Sequence, residues 1–250
     1  VWAVLGEVKA TLTEVQSKGW TARVVDVSPF YERDMALLKI EPPQNSPCPV
    51  LIVGDSAAVT TGSNVYTFGF ADVTIFSPQM GVETLLAPSM KEGKVSQKRV
   101  TNYQTPCFET SASITHGFSG GPGLNDKGEV IGVSSMGSVR QNIEVAGFNF
   151  LIESNIASNI MDEANVKNKN KNGPIDEAFL QGLQYFYDKH YSAAKQKFDV
   201  CTGLFDYHWR AKALTKDCNA AIARGEDVPL GFRLEMWMLM AILIAAVVAV

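Results

Sequence analysis

Residues 110–135 read TSASITHGFSGGPGLNDKGEVIGVSS, and this stretch decides the fold. At its centre Ser119 stands between Gly117 and the run Gly120-Gly121-Pro122. Glycines let a backbone turn tightly with no Cβ in the way. Such a turn can aim successive N–H groups at one point while it lifts the serine hydroxyl clear. The plainer reading is a glycine-rich connection between two strands. Downstream, Asn125-Asp126-Lys127-Gly128 is a turn signal, and the strand pattern 130–134 (VIGVS) follows it directly.

Outward from this hairpin, residues 1–160 carry more short runs rich in Val, Ile and Thr. They are 22–27 (ARVVDV), 35–40 (MALLKI), 50–53 (VLIV), 65–70 (VYTFGF) and 147–152 (GFNFLI). Regular short strands with many turns predict a sandwich or barrel. Residues 163–174 (EANVKNKNKNGP) are polar and cannot bury apolar surface, so they read as a linker. Beyond them the apolar spacing lengthens to three and four. That predicts two helices, over 175–201 and 207–224, the second stopped by Gly225 and Pro229. Residues 236–250 (MWMLMAILIAAVVAV) carry no charge. A soluble helix is rarely apolar on every side, and a membrane span takes about 20 apolar residues. The chain is therefore expected to stop inside a span, and its first residue, Val1, to mark a processed or cut end.

Of 250 residues, 46% are hydrophobic and 19% charged, and the net charge is −4. That supports a buried core and argues against a general nucleic-acid binder, which shows a basic patch or stripe. The four cysteines, Cys48, Cys107, Cys201 and Cys218, have no metal-ligand spacing. They read as small buried hydrophobes, although Cys201 and Cys218 could meet across a helical hairpin.

The 110–135 stretch resembles the nucleophile loop of trypsin-like serine proteases of the HtrA (Deg) type. Residues 147–157 (GFNFLIESNIA) resemble the substrate-side strand and the start of the C-terminal helix. Residues 33–40 (RDMALLKI) are similar to the segment around the catalytic aspartate. Val53-Gly54-Asp55-Ser56, Gly62, Tyr66-Thr67-Phe68-Gly69 and Gly93-Lys94-Val95-Ser96 match further family segments. The resemblance spans residues 1–160 and implies a trypsin-like double β-barrel. It implies Ser119 as nucleophile, Asp34 orienting the base, and backbone N–H groups of Gly117, Phe118 and Ser119 as the oxyanion hole. By itself Asp34 is an ordinary turn residue or cap before an apolar strand. Ser113, six residues before Ser119, falls at the family's pocket base. It carries no carboxylate to pair with a basic side chain, so a small or apolar P1 residue is expected. His116, Phe148 and Phe150 are expected at the pocket, with barrel core the equal alternative for both phenylalanines.

The family's order is His, Asp, Ser, yet His116, His190 and His208 all follow Asp34. Either the base precedes Val1 or the chain is an inactive relative. A closed barrel takes about six strands, and residues 1–53 offer about four, which favours a first barrel truncated at its N-terminus. Within 175–225, counting Gly182 as position 8 of a helical repeat of about 34 residues puts Tyr185, Ala194 and Phe198 at 11, 20 and 24. The segment resembles a tetratricopeptide hairpin, for which a protein partner or a spacer role is expected.

The fold class expected is multidomain, β then α. A double-barrel protease domain over 1–160 and a linker over 161–174 precede a tetratricopeptide-like hairpin over 175–225 and a transmembrane helix over 234–250. The expected function is a membrane-anchored serine endopeptidase that cleaves polypeptides through an acyl-enzyme on Ser119, with its protease domain extracytoplasmic. No metal or organic cofactor and no nucleic acid is implied. A catalytically inactive protease-fold binding or sensor module is the second reading.

Overall fold

A computed structural model describes residues 2–3, 20–29, 32–41, 48–71, 88–140, 143–168 and 172–231, the side chains of 2–3 and 136–148 excepted. The chain divides into two units, Val1–Asn45 with Leu51–Lys171, and Ser46–Val50 with Asn172–Val250.

In the first unit, β1 (Trp2–Ala3), β2 (Trp20–Val27) and β3 (Ala36–Ile40) form an antiparallel three-stranded sheet. The expected strand at 50–53 is reduced to one parallel bridge between Val53 and Val130. Asp55 then caps a single 3-10 turn, Ser56–Ala58. A closed six-stranded barrel follows, from β4 (Asn64–Gly69), β5 (Ser89–Val100), β6 (Pro106–Thr110), β7 (Pro122–Leu124), β8 (Val130–Arg140) and β9 (Ile143–Glu153). Its order around the barrel is β4-β5-β6-β9-β8-β7.

Period two explains β4. Val65, Thr67 and Gly69 face inward, while Asn64, Tyr66 and Phe68 face outward and stay partly exposed. The barrel core holds Val59, Val65, Val95, Phe108, Ala112, Ile131 and Leu151. Two hydroxyls in it are satisfied by carbonyls, since Thr67 donates to Lys91 and Thr110 to Lys94. A bulge between Val95 and Gln97 bends the long β5 around the closing sheet. Helix α1 (Ser154–Glu163) follows β9 and is tied back to the 3-10 turn, as Asn155 donates to Asp55 at 2.9 Å. With the Ala57 N–H, that bond holds the Asp55 carboxyl below its ordinary range.

Among the described residues the second unit has three helices where two were expected over 175–224, α2 (Pro174–Tyr187), α3 (Tyr191–Leu204) and α4 (Trp209–Ala223). The single helix read over 175–201 breaks at Asp188-Lys189-His190, where Lys189 turns left-handed with φ 64°. The apolar period runs on across the break because both helices face one core, so spacing alone could not show it. At the start of α2, Asp176 accepts from the Gly173 N–H and Pro174 occupies the first turn. Gly182, Ala194 and Phe198 meet in this core, and a Cβ on Gly182 would lie 2.5 Å from the Phe198 ring.

His190 and His208 are the N-cap residues of α3 and α4. The His208 Nδ1 accepts from the Ala211 N–H at 3.3 Å, and its ring lies 4.6 Å from the Phe179 centroid. His190 Nδ1 lies 2.6 Å from the Val228 carbonyl, which it can reach as a donor. Cys201 and Cys218 are buried free thiols rather than a bridge, and the Cys201 thiol faces the Ile175 carbonyl. Among the described residues no helix is long and apolar enough to cross a membrane, and the segment 234–250 lies outside them.

Candidate active site

Ser119 lies in the turn that leads into β7. Gly117 and Gly120 take φ of 92° and 83°, a region costly for any residue with a side chain. The turn is fastened on two flanks. The N–H of Phe70, just past β4, donates to the Gly117 carbonyl at 2.9 Å, and the Gly120 N–H donates to the Ser134 carbonyl at 2.7 Å. Gly121 pairs with both neighbours, donating to Phe118 and accepting from the Ser134 N–H, each at 2.8 Å. A Cβ at Gly121 would lie 1.9 Å from the Phe68 carbonyl oxygen, so the close approach of β4 to the turn needs glycine there.

Ser119 is exposed, and its Oγ donates to the Ser135 carbonyl at 3.2 Å. The Ser135 hydroxyl in turn donates to Asp34 Oδ2 at 2.6 Å. Through Ser135, residues 85 positions apart in the sequence are thus linked. Asp34 is left-handed, with φ 47°. Aspartate tolerates that region better than most, at a cost of about 1–2 kcal/mol, so surrounding contacts must hold it there.

Phe118, expected among the oxyanion donors, is not one. Its N–H donates to the Thr115 carbonyl at 3.1 Å, and its fully buried ring packs against Gly69. The N–H groups of Gly117 and Ser119 take no such backbone bond among the described residues.

A cleft of about 640 Å³ opens beside Ser119, lined by Leu51, Phe68, Gly69, Phe70, Pro88, Gly117, Gly120, Gly121, Pro122 and Leu124. Its walls come from the outward face of β4 and β7, which the alternation leaves partly exposed. Ser113 and His116, expected at the pocket, are exposed on the preceding loop and do not line this cleft. Phe150 is a half-buried residue of β9 paired with Glu109, and the Phe148 side chain lies outside the described residues. Sequence reading missed Ser135. Its signal was present in the Ser134-Ser135 pair, because adjacent strand residues face opposite ways and only one can point at Asp34.

An antiparallel six-stranded barrel that carries a serine on a glycine turn, linked to a distant aspartate, defines the class. The family model for the trypsin-like peptidase domain matches residues 4–133, and the chain belongs to that family. Within it the similarity is to HtrA serine proteases. Mouse serine protease HTRA4 is 29% identical over 168 residues, 67% of this chain and 32% of the mouse protein. Bovine serine protease HTR4 is 34% identical over 118 residues, covering 47% and 22%. The putative serine protease HhoA of Synechocystis sp. (strain ATCC 27184 / PCC 6803 / Kazusa) is 34% identical over 115 residues, covering 46% and 27%. The chain therefore spans a third or less of the length of these relatives. A solved structure of the HtrA-type protease AlgW with a decapeptide is similar at 23% identity and TM-score 0.47, covering 58% of this chain and 41% of that one.

Proposed function

We propose that this domain is an HtrA-type serine endopeptidase acting on polypeptides, with Ser119 as nucleophile and Asp34 orienting the base. Ser119 Oγ attacks the carbonyl carbon of the scissile peptide, and its proton passes to an imidazole held by Asp34. The Gly117 and Ser119 N–H groups stabilise the oxyanion. The C–N bond breaks, the amine leaves with the proton, and water hydrolyses the acyl-enzyme. The imidazole is a histidine ahead of Asp34 in the resemblance, and no histidine precedes Asp34 within these 250 residues. His190 and His208 serve instead as helix caps.

The observation that supports this reading most is the Ser119–Ser135–Asp34 chain, because a glycine-rich connection needs no aspartate at its serine. In the resemblance Ser113 falls at the pocket base and carries no carboxylate, which supports a small or apolar P1 residue. We also propose that residues 234–250 anchor the protein in a membrane with the protease domain extracytoplasmic. Helices α2–α4 would form a tetratricopeptide-like surface for a protein partner, which the meeting of Gly182, Ala194 and Phe198 supports.

Fluorophosphonate labelling of the native full-length protein tests the core of this. Labelling is expected in the wild type and absent in Ser119→Ala. An unlabelled wild type, under conditions where a control protease reacts, would favour the catalytically silent binding module. The 250-residue chain alone is expected to cleave casein little or not at all.

A further inference from the structure

We propose that Thr105, in the turn between β5 and β6, is a positioning residue for Asp34, an inference that rests on the catalytic reading of Asp34 given above. A left-handed aspartate persists only where its surroundings over-determine it. Local bonds supply part of the restraint. The Asp34 N–H donates to the Pro29 carbonyl at 3.2 Å, the Arg33 N–H to Ser28 Oγ at 3.2 Å, and the Ser28 N–H to the Met35 carbonyl at 2.9 Å. These bonds shape the loop but do not place it against the barrel that carries Ser119.

Among the described residues, three side chains from beyond the loop reach it. Ser135 binds the Asp34 carboxylate itself. Glu163, at the end of α1, lies 3.5 Å from Arg33, but both side chains are largely exposed, and exposed pairs hold little. The third is Thr105, whose hydroxyl donates to the Glu32 backbone carbonyl, two residues before Asp34. Thr105 is 5% exposed, so the donor end of this bond is shielded from competing water. It holds loop backbone rather than a flexible side chain.

Thr105 is itself held. Its N–H donates to Thr101 Oγ1 at 3.2 Å, and its carbonyl accepts from the Thr101 N–H at 2.9 Å. The adjoining Gln104 takes φ 63° in the same tight turn. Thr105 therefore transfers the position of the barrel to the loop. Ser135 sets the direction of the Asp34 carboxylate, and Thr105 sets where its backbone lies.

Thr105→Val removes the hydroxyl at nearly constant shape, and Thr105→Ser keeps it. In the native full-length protein, amide exchange of the segment 28–36 and the rate of fluorophosphonate labelling at Ser119 are measured side by side. Thr105→Val is expected to speed exchange of that segment and to slow labelling, each by about fivefold to tenfold, the size of one lost hydrogen bond. Exchange in β6 and β9 stays unchanged, and Thr105→Ser behaves as wild type. Wild-type exchange and labelling in Thr105→Val would overturn the proposal, as would a Thr105→Ser variant as impaired as Thr105→Val. If Thr105→Val lacks a cooperative thermal transition, Thr105→Ala is measured in its place against the same two outcomes. If wild type itself fails to label, the catalytic reading falls, and exchange of 28–36 still decides whether Thr105 holds the loop.

Discussion

Ser134 and Ser135 are neighbours on β8 with opposite fates, and that contrast makes a sharp test. Ser135 Oγ donates to the Asp34 carboxylate at 2.6 Å, a short bond to a charged acceptor. Ser134 is 2% exposed, and its Oγ has no partner among the described residues. Truncating either to alanine removes one oxygen from the same strand. Loss of a hydrogen bond to a charged group costs about 1.5–3 kcal/mol, so Ser135→Ala should destabilise the first unit by that much. At about 2–4 °C per kcal/mol for a domain of this size, its midpoint falls by roughly 3–12 °C. Ser134→Ala removes a hydroxyl that is desolvated without return and should be neutral or slightly stabilising. Urea unfolding gives both values. A cycle with Asp34→Asn should then show that Ser135 and Asp34 are coupled by more than about 0.5 kcal/mol. Additive effects in the cycle, or equal losses from the two serines, would refute the role assigned to Ser135.

Further outcomes follow from the helical unit and the nucleophile turn. Phe198→Ala should cost about 3–5 kcal/mol through the cavity it leaves, and Gly182→Ala should also destabilise because its methyl meets the Phe198 ring, both read by thermal circular dichroism. Burial pushes the His208 imidazole below its ordinary value, with Asp176 working weakly against that. Its contribution is therefore complete above about pH 6.5 and is lost as pH falls and the unfolded chain takes the proton first. His208→Asn, a cap that does not titrate in this range, should flatten that part of the melting profile between pH 8 and 5. Burial raises the Cys201 and Cys218 thiols to about 11, so iodoacetamide at pH 8 should modify them only after unfolding, as mass spectrometry of the modified peptides reports. Gly121→Ala should displace β4 or the turn and abolish labelling of Ser119, since its Cβ meets backbone rather than a movable side chain.

Much of the architecture was legible in short runs. Residues 22–27, 65–69, 130–134 and 147–152 all fall in strands because alternation and β-branching are local properties. Residues 50–53 carry the same composition and form only a bridge, because a strand needs a partner edge and composition supplies none. The helix break at Lys189 was hidden because α2 and α3 bury their faces in one core, which keeps the apolar period intact across the turn. Within the site, Ser119 and its glycines were legible because a tight turn needs those residue types in that order. Phe118 was misassigned because the sequence shows that an N–H exists but not where it points. The cleft beside Ser119 is hidden from the sequence for a related reason. Pro88 is brought beside Phe68 by the pairing of β4 with β5 and Leu124 by that of β4 with β7, while Leu51 comes from ahead of the 3-10 turn, so the walls come from separate stretches of sequence.

Some elements have causes that lie within a few neighbouring residues. These are the glycine turn around Ser119, the alternating strands, and the small residues Gly182 and Ala194 that admit Phe198. Only the tertiary structure decided what joins across the chain. Asp34 and Ser135, 101 positions apart, are hydrogen-bonded although β3 and β8 lie in different sheets. No local preference encodes that contact. It forms only when the β1–β3 sheet and the barrel come together, because a hydroxyl on one sheet meets a carboxylate beside the other only once both are in place.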